Sequence, residues 1–484
     1  MARFINFYGG SMKKFYAYQA VALVTASLVG SVSPVVAGGY EAKLWNSDSV
    51  GEALAGSSVK EGDVTTITRN PASALGFMNK RYDVGVSSAI VLPKIKFKNK
   101  GSTAANGRVT PGNNGGDAGK DAFVPAAYLA WNMNNNWKFG LAVTSPWGLK
   151  TEYKREWVGR YHALNSEMKT VNITPAVAYK VNDQLAIGGG VQIQYMDVKL
   201  SRAIDFGGVM NPILQARGVP GAFLFPLQDP ARQGEIGLKG DRWGYGWNLG
   251  LAYRITKALR VGLNYNSHIN HKLAGKAKFS FPGAPANNPL APAVINQAYQ
   301  LVNNGVKANA RFQEQGIKAN IKTPERVNFG AAWDFHSQWT LLGEVNYTHW
   351  KRMKEIAIMF PLTGTADRTP MKWKDTFSYH VGLNWRPSEE WTFRTGYAFD
   401  PTPARDNYRI PNVPDQDRHW AALGATWSPA AAKGLSLSIN YAHEFVRKAK
   451  SNLRPTGDNV LRGNLIGSHK GNVNIVTAGL KYSF

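Results

Sequence analysis

Two histidines that lie close together in the sequence, His268 and His271, are the first residues to consider for catalysis or metal binding. They are three positions apart in a segment whose pattern predicts a β-strand, so their side chains point to opposite faces and cannot share a metal ion. The chain has no cysteine, and it contains neither a Gly-x-Ser-x-Gly nor a His-Glu-x-x-His motif. The sequence therefore predicts no catalytic site, no metal site and no cofactor, and we do not expect an enzyme.

Two long polar segments, residues 205–237 and 281–312, contain more large apolar side chains than solvated loops normally carry. Exposed apolar surface of this kind needs an explanation. The first segment supplies Phe206, Met210, Ile213, Leu214, Phe223 and Phe225, and the second supplies Leu290, Val294, Ala298 and Leu301 at the spacing of one helix face. The loops either pack on each other as a lid or line a groove for an apolar ligand.

The elements that position these loops are β-strands with one apolar face. Large apolar residues alternate with small or polar ones after residue 80, as in Trp391-Thr392-Phe393-Arg394 and in the run from Leu185 to Tyr195. The predicted strands reach the 9–11 residues or more that a tilted membrane strand needs, and aromatic residues stand at both strand ends. This combination favours a membrane barrel, with the apolar face toward lipid, over a soluble β-sandwich.

Short turns alternate with long loops along the chain. The short turns lie at 134–136, 182–184, 256–257, 336–338, 387–390 and 429–433, and the loops at about 93–120, 150–165, 205–237, 281–312, 361–372, 401–416 and 450–470. Thirteen connections predict an all-β fold, a fourteen-stranded antiparallel transmembrane β-barrel over residues 81–484. Short turns belong on the periplasmic side, so we expect both mature termini there, in the outer membrane of a Gram-negative cell.

The N-terminus resembles a secretory signal peptide, residues 1–37. Arg3, Lys13 and Lys14 precede a short apolar core, and Val35-Val36-Ala37 offers a cleavage site. The formal charge of +25 then falls to +22 (25 minus 3) in the mature chain. Dispersed cations on a secreted chain argue against nucleic acid as a partner. They indicate solvated loops and lumen, or attraction to lipopolysaccharide or carboxylate ligands.

Residues 38–80 do not follow the strand pattern. The lumen of a fourteen-stranded barrel is too wide for side chains alone to fill, so this segment is predicted to be an N-terminal hatch that plugs it. A disordered periplasmic tail is the alternative. At the other end, the alternating strand that finishes at Phe484 resembles the signal that the barrel-assembly machinery recognises.

Several motifs resemble the long-chain fatty acid transporter family (FadL-type), which includes related hydrocarbon transporters. These are Gly39-Tyr40, the run Thr68-Arg69-Asn70-Pro71-Ala72, Pro146-Trp147-Gly148-Leu149, the block from Trp391 to Asp400, and Pro414-Asp415-Gln416-Asp417-Arg418-His419-Trp420. The resemblance covers essentially the whole mature chain.

The resemblance implies roles for particular residues. Asn70, Pro71 and Ala72 would form the gate of the hatch, and Ser145, Pro146 and Gly148 would create a lateral opening in the third strand, where proline removes a ladder donor. The two apolar loops would form a capture groove. For a carboxylate head group, Arg202 matches a family cation near the end of the fifth strand, and the lumen-side parity of the ninth strand leads to Arg352 and Lys354. Structural ion pairs in the lumen, or a plain strand end at Pro146, are equally compatible with these residues.

The resulting expectation is passive uptake of hydrophobic compounds, most of all long-chain fatty acids, by a monomer embedded in outer-membrane lipid. Uptake of monoaromatic hydrocarbons is an alternative within the family. A general porin or a surface adhesin is an alternative of another class, although a plug argues against an open pore. Substrate identity, chain length and the link to downstream activation lie beyond the sequence.

Overall fold

The structure, a computed structural model, describes residues 39–484, so the predicted signal peptide lies outside the described residues. Fourteen antiparallel strands close into a barrel. The strands are β1 Tyr82–Asn99, β2 Ala122–Asn132, β3 Trp137–Thr144 and Gly148–Glu152, β4 Asn165–Lys180, β5 Leu185–Asp205, β6 Gln233–Arg254, β7 Leu259–Asn266 and Asn270–Ser280, β8 Gln315–Lys322 and Arg326–His336, β9 Trp339–Thr348 and Glu355–Phe360, β10 Thr365–Pro370 and Thr376–Trp385, β11 Trp391–Asp400, β12 Arg418–Trp427, β13 Leu435–Leu453 and β14 Leu465–Ser483.

Closure is made by β1 and β14, which pair from Asp83 with Ser483 to Asn99 with Gly467. No strand edge is therefore left open between them. The outward residues of the strands form an apolar belt; Tyr245, Leu249 and Ile439, for example, are 69%, 56% and 63% exposed. The predicted fourteen-stranded antiparallel barrel is confirmed, and the six short turns fall between the strands as expected.

Several strands are longer than the sequence predicted. β1 continues to Asn99 and β13 to Leu453, and only residues 361–364 separate β9 from β10. The predicted loops 93–120, 361–372 and 450–470 are thus partly strand. These extensions project beyond the apolar belt. In that of β1 the apolar residues Ile95 and Phe97 face inward and the lysines face outward, the reverse of a membrane strand, so an outward apolar face does not identify it.

Four neighbouring strands, β7 to β10, are interrupted just above one row of paired residues. Arg326 pairs with Asn266 on one side and with Thr348 on the other, and Thr348 pairs with Thr376. Beyond this row the ladders stop and then resume, so the barrel has a lower part within the belt and an upper part outside it.

Residues 39–80, called the N-terminal segment below, are almost entirely buried and contact the inner face of the barrel wall. They contain two short helices, α1 Ser47–Gly51 and α2 Pro71–Gly76. Two further helices, α3 Phe206–Ala216 and α4 Ala293–Ala308, lie in the long connections at the other end of the barrel. No helix within residues 39–484 is long and apolar enough to cross a membrane.

Candidate functional site

A buried ion pair attaches the N-terminal segment to β9. Arg69 donates to Glu344 Oε1 at 2.7 Å. The hydroxyls of Ser57 and Ser58 donate to the same oxygen, each at 2.8 Å. Removing one partner of a buried pair leaves an uncompensated charge, so this contact holds the segment firmly against the wall.

The run Asn70-Pro71-Ala72 begins helix α2. Asn70 Oδ1 accepts hydrogen bonds from the backbone N–H groups of Ala72 at 3.1 Å and Ser73 at 3.4 Å. Pro71 occupies the first helical position, where a missing N–H costs nothing and the fixed φ suits the helix. The three residues therefore form a helix start whose conformation is set locally.

The amide nitrogen of Asn70 also reaches the wall. It donates to the carbonyl oxygens of Ser58 at 2.7 Å and Leu251 of β6 at 3.0 Å. Glycine in the wall makes this approach possible: a Cβ at Gly250 would lie 2.1 Å from Asn70 Oδ1, and one at Gly262 would lie 2.1 Å from the Ser58 carbonyl oxygen. Asn70 thus links two parts of the N-terminal segment to the barrel.

The break in β3 falls at Ser145, Pro146 and Trp147, just before Gly148. The side chain of Thr170 on β4 replaces the missing ladder. Its hydroxyl donates to the Trp147 carbonyl oxygen at 2.6 Å and accepts from the Trp147 N–H at 3.0 Å, while Ser145 Oγ donates to the Thr170 carbonyl oxygen at 2.6 Å. The interruption is therefore hydrogen-bonded on the β4 side.

The start of the N-terminal segment covers the same break. The Ala42 N–H donates to the Pro146 carbonyl oxygen at 2.8 Å, and the Gly148 N–H donates to the Tyr40 carbonyl oxygen at 2.9 Å. Glu41 and Trp147 form an antiparallel bridge between these two bonds. Residues 40–42 thus act as a short strand paired with the interrupted part of β3.

Four aromatic side chains meet behind this contact and are called the aromatic cluster: Tyr40, Trp147, Trp350 and Trp373. The ring of Tyr40 lies 5.5, 5.2 and 5.7 Å from the rings of Trp147, Trp350 and Trp373. Its buried hydroxyl has no hydrogen-bond partner among the described residues. Trp350 and Trp373 come from the breaks in β9 and β10, so the cluster connects those breaks to the one in β3.

A cavity of about 730 Å³ opens in the upper part of the barrel. On one side it is lined by Arg202 of β5, Asp367 of β10 and Arg462 of the β13–β14 connection. Arg202 donates to Asp367 at 3.0 Å, and Arg462 donates to the other oxygen of that carboxylate. Two guanidinium groups share one carboxylate, so one positive charge at this wall remains uncompensated.

Arg462 is the less satisfied of the two cations. Its Nε is buried and has no hydrogen-bond partner among residues 39–484. Burial and the positive charge of Arg202 lower the pKa of Arg462 to about 10. Burial raises the pKa of Asp367, but Arg202 and Arg462 outweigh it and hold that pKa below its usual value. An anion bound beside Arg462 would complete its hydrogen bonds and its charge balance.

A second, narrower pocket of about 30 Å³ shares the wall of this cavity. The shared residues are Leu200, Leu238, Ile356 and Ile358, and the deeper lining includes Val198, Leu273, Ile317 and Ile321. Val198, Leu273 and Ile321 pack in the same hydrophobic core as the aromatic cluster. An apolar path of packed side chains therefore leads from the charged cavity to the break in β3.

Comparison with known proteins adds the following. A family model described as "Outer membrane protein transport protein (OMPP1/FadL/TodX)" matches residues 28–484. The chain belongs to this family. A long-chain fatty acid transport protein of Escherichia coli O6:H1 is 25% identical over 90% of this chain and 92% of its own length.

Solved structures show the same fold. The structure of a Pseudomonas aeruginosa FadL homologue is 22% identical, covers 92% of this chain and 100% of its own, and has a TM-score of 0.80. The Pseudomonas putida toluene transporter TodX is 16% identical, with coverages of 92% and 99% and a TM-score of 0.63. The chain is thus an outer-membrane transport protein of the FadL type and not an enzyme.

The lumen-side parity of the ninth strand predicted Arg352 and Lys354 as cations facing the lumen, and the structure places them elsewhere. Residues 349–354 interrupt β9. The one-turn helix Trp350–Arg352 in this break changes which residues face the lumen, so the alternation of the strand does not continue through it. Trp350 and Met353 turn inward, whereas Lys354 is exposed and Arg352 forms an ion pair with Glu325 in the break of β8. Only Arg202 of the three expected cations lines the upper cavity.

The two apolar loops meet through α3 and α4. Phe206, Met210 and Leu214 pack with Ile295, Tyr299, Val302 and Val306, and Phe223, Phe225 and Ala298 border this core. The sequence selected residues on the opposite side: Val294 and Leu301 of α4 are 69% and 52% exposed, Leu290 just before α4 is 85% exposed, and Ile213 of α3 is also exposed. The helical spacing was correct, but both faces of α4 carry apolar residues, and periodicity could not tell which face packs.

His268 lies in the break of β7, and His271 lies in the part of the strand that follows it. His268 is partly exposed beside Glu325 at 3.7 Å, and His271 is fully buried with its Nε2 3.0 Å from Gln194 Oε1. They therefore do not form a shared site.

Proposed function

We propose that this FadL-type protein takes up long-chain fatty acids or similar amphiphiles with an anionic head. The observation that carries the proposal is the pairing of a charged wall, Arg202 and Arg462 sharing Asp367, with a neighbouring pocket whose lining is apolar apart from Lys239. A carboxylate would bind the free donor of Arg462, since hydrogen bonds between ionised partners are the stronger ones. The acyl chain would lie in the cavity along its apolar side, which Leu200, Leu238, Ile356 and Ile358 form, and each buried methylene there contributes about 0.8 kcal/mol.

The next step we propose is passage along the apolar path to the aromatic cluster. The ring of Tyr40 fills the space among three tryptophans, and no hydrogen bond from its hydroxyl to a described residue fixes it. An incoming acyl chain could replace that ring at little polar cost. Displacing Tyr40 would also break the short strand of residues 40–42 and uncover the interrupted part of β3.

In this proposal residues 38–80 act as the hatch and the interruption at Ser145, Pro146 and Gly148 acts as the exit. Release sideways into the membrane suits a hydrophobic cargo, because it never has to enter water. Asn70 and the Arg69–Glu344 pair would keep the rest of the hatch in place while its first residues move. The exposed face of α4, with Val294 and Leu301, together with Leu290 just before the helix, would be the first contact for hydrophobic molecules outside.

Uptake of monoaromatic hydrocarbons is the second candidate, supported by the aromatic cluster and by the fold shared with a toluene transporter. A neutral hydrocarbon would make no use of Arg202 and Arg462. The charged wall therefore favours the anionic amphiphile. A general porin or an adhesin receives less support, because the N-terminal segment is buried against the inner face of the barrel.

The test begins with protein purified in mild detergent, from which bound ligand is extracted and identified by mass spectrometry. Binding of a long-chain fatty acid is then compared with binding of the fatty alcohol of equal length, in the wild type and in Arg462→Gln. Loss of a charged hydrogen bond should weaken binding of the acid about 10- to 100-fold and leave the alcohol unchanged. Arg155→Gln, an exposed cation paired with Glu235, is the matched control. Equal binding of acid and alcohol by the wild type would refute a head-group site, and extraction of aromatic hydrocarbons alone would favour the second candidate.

A further inference from the structure

Seven cations face outward on the upper parts of three adjacent strands and are called the outer basic patch. They are Lys94, Lys96 and Lys98 of β1, Lys470 of β14, and Arg447, Lys448 and Lys450 of β13. All seven are exposed. The register places them on the side of the wall away from the lumen, since their neighbours Ile95, Phe97, Ala449 and His469 are buried inside.

Like charges in this patch stand directly opposite one another. Lys96 pairs with Lys470 in the antiparallel ladder, and Lys94 and Lys98 follow on the same face of β1 at every second position. Cross-strand pairs of like charge destabilise a sheet unless a counter-charge lies close by. An anion bound to the patch would therefore reduce the repulsion between these cations.

The protein supplies little of that counter-charge. Among the described residues the six lysines make no ion pair, and Arg447 lies 3.8 Å from Asp417. Asp117 is next to Lys96, but its Oδ1 accepts hydrogen bonds from the backbone N–H groups of Ile95 and Gly119. On the opposite wall three exposed upper lysines do have carboxylate partners: Lys199 pairs with Glu167, and Lys276 and Lys278 share Glu314.

The patch begins where the apolar belt ends. Ile90 and Leu92 of β1 are 49% and 38% exposed, and Phe445 of β13 is 55% exposed. Lys94 is the next outward residue after Leu92, and Arg447 follows Phe445 by two positions. The long connections lie beyond, on the extracellular side. The cations are therefore at the depth of the head groups of the outer leaflet.

We propose that the outer basic patch binds lipopolysaccharide, the outer-leaflet lipid whose head group carries clustered phosphates above several acyl chains. The phosphates would lie between β1 and β14, where Lys94, Lys96 and Lys470 converge, and the acyl chains would cover Leu92 and Phe445. Several cations on one anionic head group act together. This site is independent of the transported ligand, so it goes beyond the proposed function.

The experiment uses the full-length protein in nanodiscs that contain lipid A-bearing lipopolysaccharide, phosphatidylglycerol or phosphatidylcholine in turn. The variant Lys94→Gln/Lys96→Gln/Lys470→Gln is compared with Lys199→Gln/Lys276→Gln/Lys278→Gln, which removes the same charge from paired, outward positions. Lipid retained after detergent extraction is measured by mass spectrometry. We expect the patch variant to retain lipopolysaccharide at least about tenfold less well than the wild type and the control variant to retain it normally.

Equal loss in both variants, or equal retention of lipopolysaccharide and phosphatidylglycerol by the wild type, would overturn the proposal. Unchanged retention in the patch variant would overturn it as well. The triple lysine-to-arginine variant keeps the charge and should bind like the wild type. Heat-modifiable gel migration confirms that each barrel is folded before lipid is measured.

Discussion

Arg69 and Glu344 form an ion pair at 2.7 Å although their side chains are only 3% and 0% exposed. Glu344→Gln would leave Arg69 buried without its counter-charge, at a cost of about 3–5 kcal/mol. We expect the amides of residues 39–80 to lose protection in hydrogen exchange, measured by mass spectrometry. Arg260→Gln disrupts a partly exposed pair with Asp334 and serves as the control, with an expected effect of about 1 kcal/mol or less. Unchanged protection in Glu344→Gln would show that the pair does not anchor the segment.

Deleting residues 38–78 should turn the barrel into an open pore. The side chains of the N-terminal segment are buried against the inner face of the wall, and β1 and β14 close the barrel by pairing with each other. We expect a large, steady conductance for the deletion variant in planar bilayers and none for the full chain. A deletion variant that folds and stays closed would disprove the plug, and a steady conductance of the full chain would favour the porin alternative.

Locking residues 40–42 onto β3 should block release without preventing binding. Ala42 lies opposite Pro146 in the short antiparallel pairing, and Cα atoms in such pairs are about 4.5–5.5 Å apart, which suits a disulfide. The chain has no cysteine of its own, so Ala42→Cys/Pro146→Cys can form only this bond. We expect uptake of labelled fatty acid to stop in the oxidised variant and to return on reduction. Equal uptake in both states would exclude release through this break.

The two faces of α4 should respond differently to substitution. Tyr299 and Val302 pack against α3, and Tyr299→Ala should loosen both loops by about 3 kcal/mol or more, detected as faster hydrogen exchange in 206–216. Leu290→Ser/Val294→Ser/Leu301→Ser changes only exposed side chains and should leave that exchange unchanged. If the exposed face makes the first contact with ligand, the same triple variant should slow uptake at low ligand concentration. Unaltered uptake would show that these exposed side chains do not capture the ligand.

The strand pattern predicted the barrel because membrane strands must alternate and every short turn contains polar residues, as at Asn182-Asp183-Gln184. Outside the belt this constraint ends, and the extensions of β1 and β13 were predicted as loops. Arg202 could be placed from parity because β5 runs without a break, whereas the interruption at 349–354 made the same reasoning fail for Arg352 and Lys354.

Other residues of the site could not be predicted, because nothing in the sequence around them indicates their position. Arg462 follows a polar loop with no periodicity, and its partner Asp367 lies 95 positions earlier. In the sequence, Trp350 and Trp373 resemble the aromatic residues of a membrane girdle. In the structure, the breaks in β9 and β10 direct both side chains inward. Their meeting with Tyr40 depends on closure of the barrel, which is a long-range property. The interruption at Pro146 could be predicted from the sequence, because proline lacks the N–H that a strand ladder needs.

The aligned interruptions of β7 to β10 have an evolutionary consequence. The ladders stop and restart above one row of paired residues, Asn266, Arg326, Thr348 and Thr376. The strand register above this row is therefore not determined by the register below it. The upper part could therefore diverge, gain residues or be exchanged between relatives while the membrane part keeps its shear and its fit to the bilayer. Substrate preference and fit to the bilayer could then be selected as separate traits in one barrel.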